Sequence, residues 1–557
     1  MYHKLDLAAA KINIEYTLKD GKKCIFGRGN EYIKTELEIS DNGSVKFYIR
    51  PLLPLKIRHF SLEIPFIFEK NNRVFANGFQ SWTDTREYFI NQKMYGFNRI
   101  TEWFMNSKMK QNSGLNRAGD YTFHSYPRKK GVFYGYSYGY VREKNEITLL
   151  GSLNEKCGYT IIEFNARKSI IKIEKDLAGV AYSEKTLIAD LCIIQDEYDA
   201  AFDKYFEILN IKKPLAKRSF GYTTWYNYYR NINLDIVKND LEALSKHGGF
   251  EIFQLDDGYQ NAVGDWYSID KKKFPCEMKY IADLIHSKGL KAGLWLAPFS
   301  AQKNSQLFKN HSDWFVKDEN GKPYLAGPNW GSFYALDIYN PQAVAYLEKL
   351  FHTVLYDWGF DMLKLDFLYA AAVIPIHNRT RGEIMCDAME LVRRLSGEKL
   401  LLSCGVPMMP AFGNTDFCRI GADISLEWKR GRFDGRENKS TPNAVESTVF
   451  RRHLDGRAFL NDPDVFLLRN HNIGIDLKKR QLIAKINSMF GNLLFCSDDV
   501  SEYTDEQNKI IDEIFNSERE KILFAEYIKK DIIKITYISG DDKKEIVFNV
   551  KNGKIFN

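Results

Sequence analysis

The chain has 557 residues, too long for one ordinary domain, and length alone leaves room for roughly three or four units, fewer where one is a barrel. Its 44% hydrophobic and 27% charged residues describe a soluble globular protein. A net charge of +7, with 79 basic and 72 acidic residues intermixed, offers no basic stripe and excludes nucleic acid as the expected partner.

The start, Met1-Tyr-His-Lys-Leu-Asp-Leu-Ala-Ala-Ala-Lys11, has too short an apolar run to read as a secretory signal. No stretch reaches the ~20 apolar residues a membrane span requires. The eight cysteines carry no CxxC or metal-ligand spacing, so a cytoplasmic protein with free thiols is expected, without a metal and without a cofactor.

Residues 1–205 alternate polar and apolar positions in short runs such as Thr35-Glu-Leu-Glu-Ile39, Ser44-Val-Lys-Phe-Tyr-Ile49 and Ser169-Ile-Ile-Lys-Ile173. That is strand periodicity, and turn-prone pairs such as Asn42-Gly43 separate several runs, which predicts an antiparallel β-sandwich. One segment stands apart: Ala76-Asn-Gly-Phe-Gln-Ser-Trp82 sets two aromatics among loop-forming residues. Trp82 either packs inside the sandwich or reaches across a domain boundary to wall a pocket. Helical spacing over residues 197–209, followed by Lys213-Pro214, marks the boundary.

From 206 to 503 strands and helices alternate. Strands are expected at 219–225, 250–257, 290–297, 360–367, 399–404, 417–422, 465–468 and 492–497. Eight strand–helix units in this span predict a parallel sheet closed into a (β/α)₈ barrel, and no glycine-rich phosphate fingerprint follows the first strand. The tail, 504–557, reads as a small C-terminal antiparallel β domain acting as a cap. The fold class is thus α/β, a central (β/α)₈ barrel with an N-terminal β-sandwich and a small C-terminal β domain.

A barrel places its catalytic groups at the C-terminal ends of its strands. Here those ends carry Tyr226, Asp256 and Asp257, Trp295, Lys364 and Asp366, Cys404, Arg419 and Asp423, and Asp498 and Asp499. Carboxylates among flat aromatic walls suit glycoside hydrolysis, in which one carboxylate attacks the anomeric carbon and another protonates the leaving oxygen. Lys364 and Asp366 lie two apart on one strand and share a face, so the ammonium is expected to keep Asp366 ionised, as a nucleophile must be. Asp256 and Asp257 are adjacent and point to different sides, which suits hydrogen bonding to sugar hydroxyls. Asp423, in a looser Gly-Ala-Asp-Ile segment, is free to be tuned as the acid.

The ordered set Asp256-Asp-Gly258, Gly264-Asp-Trp266, Gly293-Leu-Trp295, Lys364-Leu-Asp-Phe367, Cys404-Gly405, Cys418-Arg-Ile-Gly-Ala-Asp423 and Leu460-Asn-Asp-Pro-Asp464 resembles the α-galactosidases of glycoside hydrolase family 36, and most of all their compact bacterial members. The resemblance implies a retaining exo-enzyme acting on α-galactoside oligosaccharides such as melibiose and raffinose, with Asp366 as nucleophile and Asp423 as acid/base. It implies Asp256 and Asp257 on the galactose O4 and O6 hydroxyls, and Lys364 and Arg419 on ring hydroxyls. Trp295 and Tyr226 then wall the pocket, Trp82 closes it from the sandwich, and Cys404 lines the C2 side. Glu427, four residues past Asp423, adds a carboxylate that the pattern does not place. An α-N-acetylgalactosaminidase, a transglycosylase or a non-catalytic galactoside-binding protein on the same fold is the alternative, and the oligomeric state is left open.

Overall fold

The expected strand runs of the first two hundred residues pair into two antiparallel sheets of seven strands each. In the computed structural model, which describes residues 5–29, 32–40, 43–97, 101, 103, 117–121, 123–430, 435–516 and 519–556, the sheets lie face to face. Strand Ile170–Lys175 shows how alternation builds them: Ile171, Ile173 and Lys175 turn inward while their neighbours stay partly exposed. Phe47 of one sheet meets Phe60 of the other at 5.0 Å between ring centroids. Helix α1 (Tyr198–Leu209) leaves the sandwich with Tyr198, Phe202 and Tyr205 buried and ends on the left-handed Asn210. Its Phe202 stacks on His453 at 3.9 Å, and the Tyr198 hydroxyl lies 2.8 Å from the Nδ1 of the same ring, so α1 ties the sandwich to the next domain.

That domain is the barrel. Its strands are β1 (Ser219–Thr223), β2 (Ile252–Leu255), β3 (Lys291–Leu296), β4 (Met362–Leu365), β5 (Leu400–Ser403), β6 (Phe417–Arg419), β7 (Leu460–Asp462 with Val465–Phe466) and β8 (Leu493–Cys496), all parallel. The seventh strand differs from expectation. It starts at Leu460 rather than 465 and is broken by Pro463, which has no N–H to give, and by Asp464, whose φ is +77°. Its first half pairs with β6 and its second half with β8, so the ring closes through the break.

The helices around it are α2 (Leu234–His247), α3 (Met278–His286), α4 (Pro341–His352), α5 (Arg381–Ser396), α6 (Thr441–Phe450), α7 (Leu477–Phe490) and α8 (Asp505–Asn516). Local chemistry starts several of them. Asn340 accepts from the Gln342 and Ala343 amides ahead of Pro341, and Thr380 accepts from the Glu383 amide. After β5 the described residues form only a short 3₁₀ turn, Met409–Ala411, in place of a helix. Helix α8 sets Phe515 between Phe220 and Phe250, each 5.0 Å away, so it packs on the barrel. The tail sheet of four antiparallel strands then runs from Lys521 to Phe556. It is joined to the other two domains by Glu446 of α6, which binds Arg86 of the sandwich at 2.6 Å, Arg430, and the Tyr527 hydroxyl of the tail. Among the described residues no helix is long and apolar enough to cross a membrane.

Candidate active site

The strand ends open into a cavity of about 350 Å³ whose walls include Trp82, Trp225, Asp256, Asp257, Trp295, Trp330, Lys364, Asp366, Phe367, Asp423 and Glu437. Strand register explains its floor. Leu255 is level with Leu294, and Trp295 with Lys364, so Asp256, Trp295 and Lys364 occupy one tier across β2, β3 and β4. The Lys364 ammonium donates to Asp256 Oδ2 at 2.7 Å with both side chains buried. The ammonium expected on Asp366 therefore rests on the neighbouring tier-mate instead, because the pleat lifts Asp366 one step above it. Burial works against the charge on Lys364, but Asp256, then Asp366, raise its pKa. Deleting one partner of such a buried pair costs about 3–5 kcal/mol, so variants at Asp256 mix folding with binding.

Asp257 turns the other way, as adjacent strand residues must. It accepts from Gln260 Nε2 at 2.6 Å and from Trp330 Nε1 at 3.0 Å, and burial raises its carboxyl. Asp366 accepts from Trp295 Nε1 at 3.1 Å through Oδ2 and from the Phe367 amide at 2.9 Å through Oδ1. Phe367 is left-handed at φ +54°, which swings the chain away and leaves the carboxylate facing the cavity. Burial raises the Asp366 carboxyl, with Lys364 and the Trp295 N–H opposing.

Asp423 lies on the loop after β6 with its side chain 43% exposed, against 4% for Asp256. It accepts from Arg419 Nη1 at 2.9 Å. Arg419 itself is buried behind the wall, in contact with Asp462 and Asp464. Tyr226 also stands behind the wall, its hydroxyl donating to Asp464, and its neighbour Trp225 faces the cavity. Cys404 is buried too. Its thiol, raised by burial, receives the Trp82 indole N–H at 3.1 Å. Glu427 is exposed, paired with Lys429, and does not line the cavity. Asp498 is spent on the Leu468 and Arg469 amides and the Tyr503 hydroxyl.

Sequence reasoning missed Trp225, Trp330, Phe367 and Glu437. Trp330 sits on an excursion between β3 and α4 that carries a small three-stranded sheet, and its only signal was an aromatic in the turn-forming Pro328-Asn-Trp-Gly331. Glu437 accepts from the Thr83 hydroxyl at 2.9 Å and from the Tyr121 hydroxyl, both of the sandwich, and nothing in its sequence context announced it.

Trp82 does cross to the barrel. The Ser81 amide donates to Val406 O at 2.8 Å and the Ser81 hydroxyl accepts from the Gly405 amide at 2.9 Å. Gly405, at φ +61°, leaves room that a Cβ would close, coming within 2.9 Å of the indole. Arg451, fully buried beyond α6, fixes the same loop by donating to the carbonyls of Gly78, Gln80 and Ser81 and to Asn77 Oδ1. With those bonds intact, Trp82→Ala should raise KM about tenfold, the scale of one lost aromatic face of ~1.4 kcal/mol. The melting temperature should change little; a large drop with unchanged kinetics would assign Trp82 to packing alone.

A family model described as Melibiase matches residues 203–384. The chain is 29% identical over 197 residues to an A type blood alpha-D-galactosamine galactosaminidase of Flavonifractor plautii, covering 32% of this chain and 18% of that protein. It is 30% identical over 186 residues to an alpha-galactosidase of Escherichia coli, covering 31% and 25%. The matches thus span about a quarter or less of those relatives' own lengths. The alpha-galactosidase TtGalA of Thermus thermophilus, solved with p-nitrophenyl alpha-D-galactopyranoside, superposes with a TM-score of 0.72 at 24% identity over 95% of this chain and 98% of that one. Over residues 203–384 the chain is thus similar to the Melibiase family, and from end to end it shares the fold of TtGalA.

Proposed function

We propose that the protein is a retaining exo-glycosidase that releases terminal α-D-galactose from oligosaccharides such as melibiose and raffinose. The observation that carries this reading is that Asp366 and Asp423, held by different partners, face one cavity whose other walls include four indole rings and the bonded carboxylates of Asp256 and Asp257. Indoles cover the apolar face of a sugar while carboxylates take its hydroxyls. Asp366 attacks the anomeric carbon and forms the glycosyl ester as Asp423 gives its proton to the departing oxygen. Asp423 then takes a proton from the water that cleaves the ester. Lys364 at the floor reaches ring hydroxyls, while Arg419 holds Asp423, Cys404 holds the Trp82 indole and Tyr226 braces Asp464 behind them. That TtGalA was also solved with stachyose, at 26% identity over all of that chain, supports an oligosaccharide substrate.

The galactosaminidase named among the relatives favours one second reading, an α-N-acetylgalactosaminidase on the same site. Hydrolysis of p-nitrophenyl α-D-galactoside and of the corresponding N-acetylgalactosaminide, measured side by side, separates the two. We expect kcat/KM to favour the galactoside by at least about a hundredfold, since an acetamido group must displace bonded wall groups at a cost of a few kcal/mol. A preference for the N-acetylgalactosaminide would reverse the assignment.

A further inference from the structure

The carboxylates behind Asp423 outnumber the charge they surround. Arg419 receives Asp423 on Nη1 at 2.9 Å, Asp462 on Nε at 3.1 Å and Asp464 on Nη2 at 3.0 Å, and Asp462, Asp464 and the guanidinium are buried. Three anions on one cation in a low-dielectric site strongly favour retention of a proton by the cluster. Asp464 is where the pressure is greatest: burial, then Asp423 and Asp462, push it up to about 7 against the pull of Arg419 and the Tyr226 hydroxyl.

Its geometry is unusual as well. Asp464 is a non-glycine residue held at φ +77° in the break of β7, a conformation that persists only where the surroundings impose it. Its Oδ2 accepts from the Ile424 amide at 2.8 Å and from Tyr226, and its own amide donates to Asp462 Oδ1 at 2.9 Å. Asp464 therefore grips Asp423 twice, through the N–H of the next residue in the chain and through the guanidinium both carboxylates share.

We propose that Asp464 is a positioning residue for the acid/base group, fixing Asp423 in place through the Ile424 amide and through the guanidinium that both carboxylates share. The proposal rests on the reading of Asp423 as the acid/base. The charged and titratable groups facing Asp464 are Arg419 from β6, Asp462 from β7, Asp423 from the following loop and Tyr226 from the turn after β1, while α7 contributes the neutral Asn487 amide to its carbonyl. Asp423 is faced in addition by Asp366 and Tyr229.

The test is kcat/KM for Asp464→Asn on two substrates; the amide keeps the size of the side chain and loses the ion pair with Arg419. On melibiose, whose leaving group needs the acid, kcat/KM should fall about tenfold, part of a general acid's usual contribution. On p-nitrophenyl α-galactoside, which leaves without a proton, it should fall much less. Tyr226→Phe removes one of the two bonds that hold Asp464 Oδ2, so it should lower the melibiose value by less, and it carries the test if Asp464→Asn does not fold. An unchanged ratio between the two substrates in both variants, with only a lower melting temperature, would overturn the proposal and leave Asp464 a structural role. Failure of the underlying reading looks different: Asp423→Ala would then lose activity equally on good and poor leaving groups, which overturns both.

Discussion

Asp366→Ala is expected to lower turnover of p-nitrophenyl α-galactoside by about 10⁴ or more, the scale on which removing a nucleophile acts, and added azide is expected to restore product as the β-galactosyl azide. The alanine leaves a carboxylate-sized space beside the Trp295 indole N–H, which in the native protein bonds Asp366 Oδ2 at 3.1 Å. A small anion that fills this space attacks from the side the carboxylate used, and with no second displacement the configuration inverts. Substrate binding should survive, because Asp256, Asp257 and Lys364 keep their own partners. Recovery of the α-azide, or a variant that keeps the native rate, would remove Asp366 from the nucleophile's role.

For Asp423→Ala the expected loss depends on the leaving group. On raffinose or melibiose it should reach two or more orders of magnitude, in line with typical general acid contributions. On p-nitrophenyl α-galactoside the first step should be nearly spared, since an activated phenolate departs unaided. Slow cleavage of the glycosyl ester should then appear as a burst of nitrophenol. Glu427, the rival suggested by the sequence, points to solvent and pairs with Lys429, so it is not placed to reach the bond being broken. Glu437 is the carboxyl to compare, because it lines the cavity and burial raises it. Its oxygens are engaged by Thr83 and Tyr121, and Glu437→Gln should show no dependence on the leaving group. If Glu437→Gln shows that dependence and Asp423→Ala does not, the proton donor is Glu437.

The three-part architecture was legible because period-two and period-3.6 patterns extend over many residues, and because a barrel's strand ends are defined by where apolar runs stop. Pairings between strands were not legible in the same way. Lys364 and Asp366 share a face, but register across β3 brings Asp256 to the ammonium, and register is a property of the sheet rather than of one octapeptide. Of the adjacent pair Trp225 and Tyr226, the sequence suggested the tyrosine. The short helix Trp225–Tyr228 decides otherwise, burying Tyr226 against Asp464 and turning Trp225 to the cavity. The start of β7 was misplaced for a related reason: Asn461-Asp-Pro-Asp464 looks like a turn, and only pairing with β6 reveals its first residues as strand. Trp330 was missed because the excursion that holds it has strands of three residues, too short for any period to show.

The buried guanidinium of Arg451 reads the crossing loop almost wholly by its carbonyls, Asn77 being its one side-chain partner there. Recognition of that kind is indifferent to most side chains and intolerant of any change in backbone path. Arg451 therefore fixes the path of residues 78–81 and leaves their side chains to other contacts, such as that of the Ser81 hydroxyl with the Gly405 amide, and it has no substitute that reaches so many acceptors at once. It also makes the sandwich and the barrel one heritable module. A chain recombined at the junction near α1 would receive a barrel with a vacant guanidinium and a sugar pocket missing a wall, so the two domains can change partners only if both sides of this contact travel together.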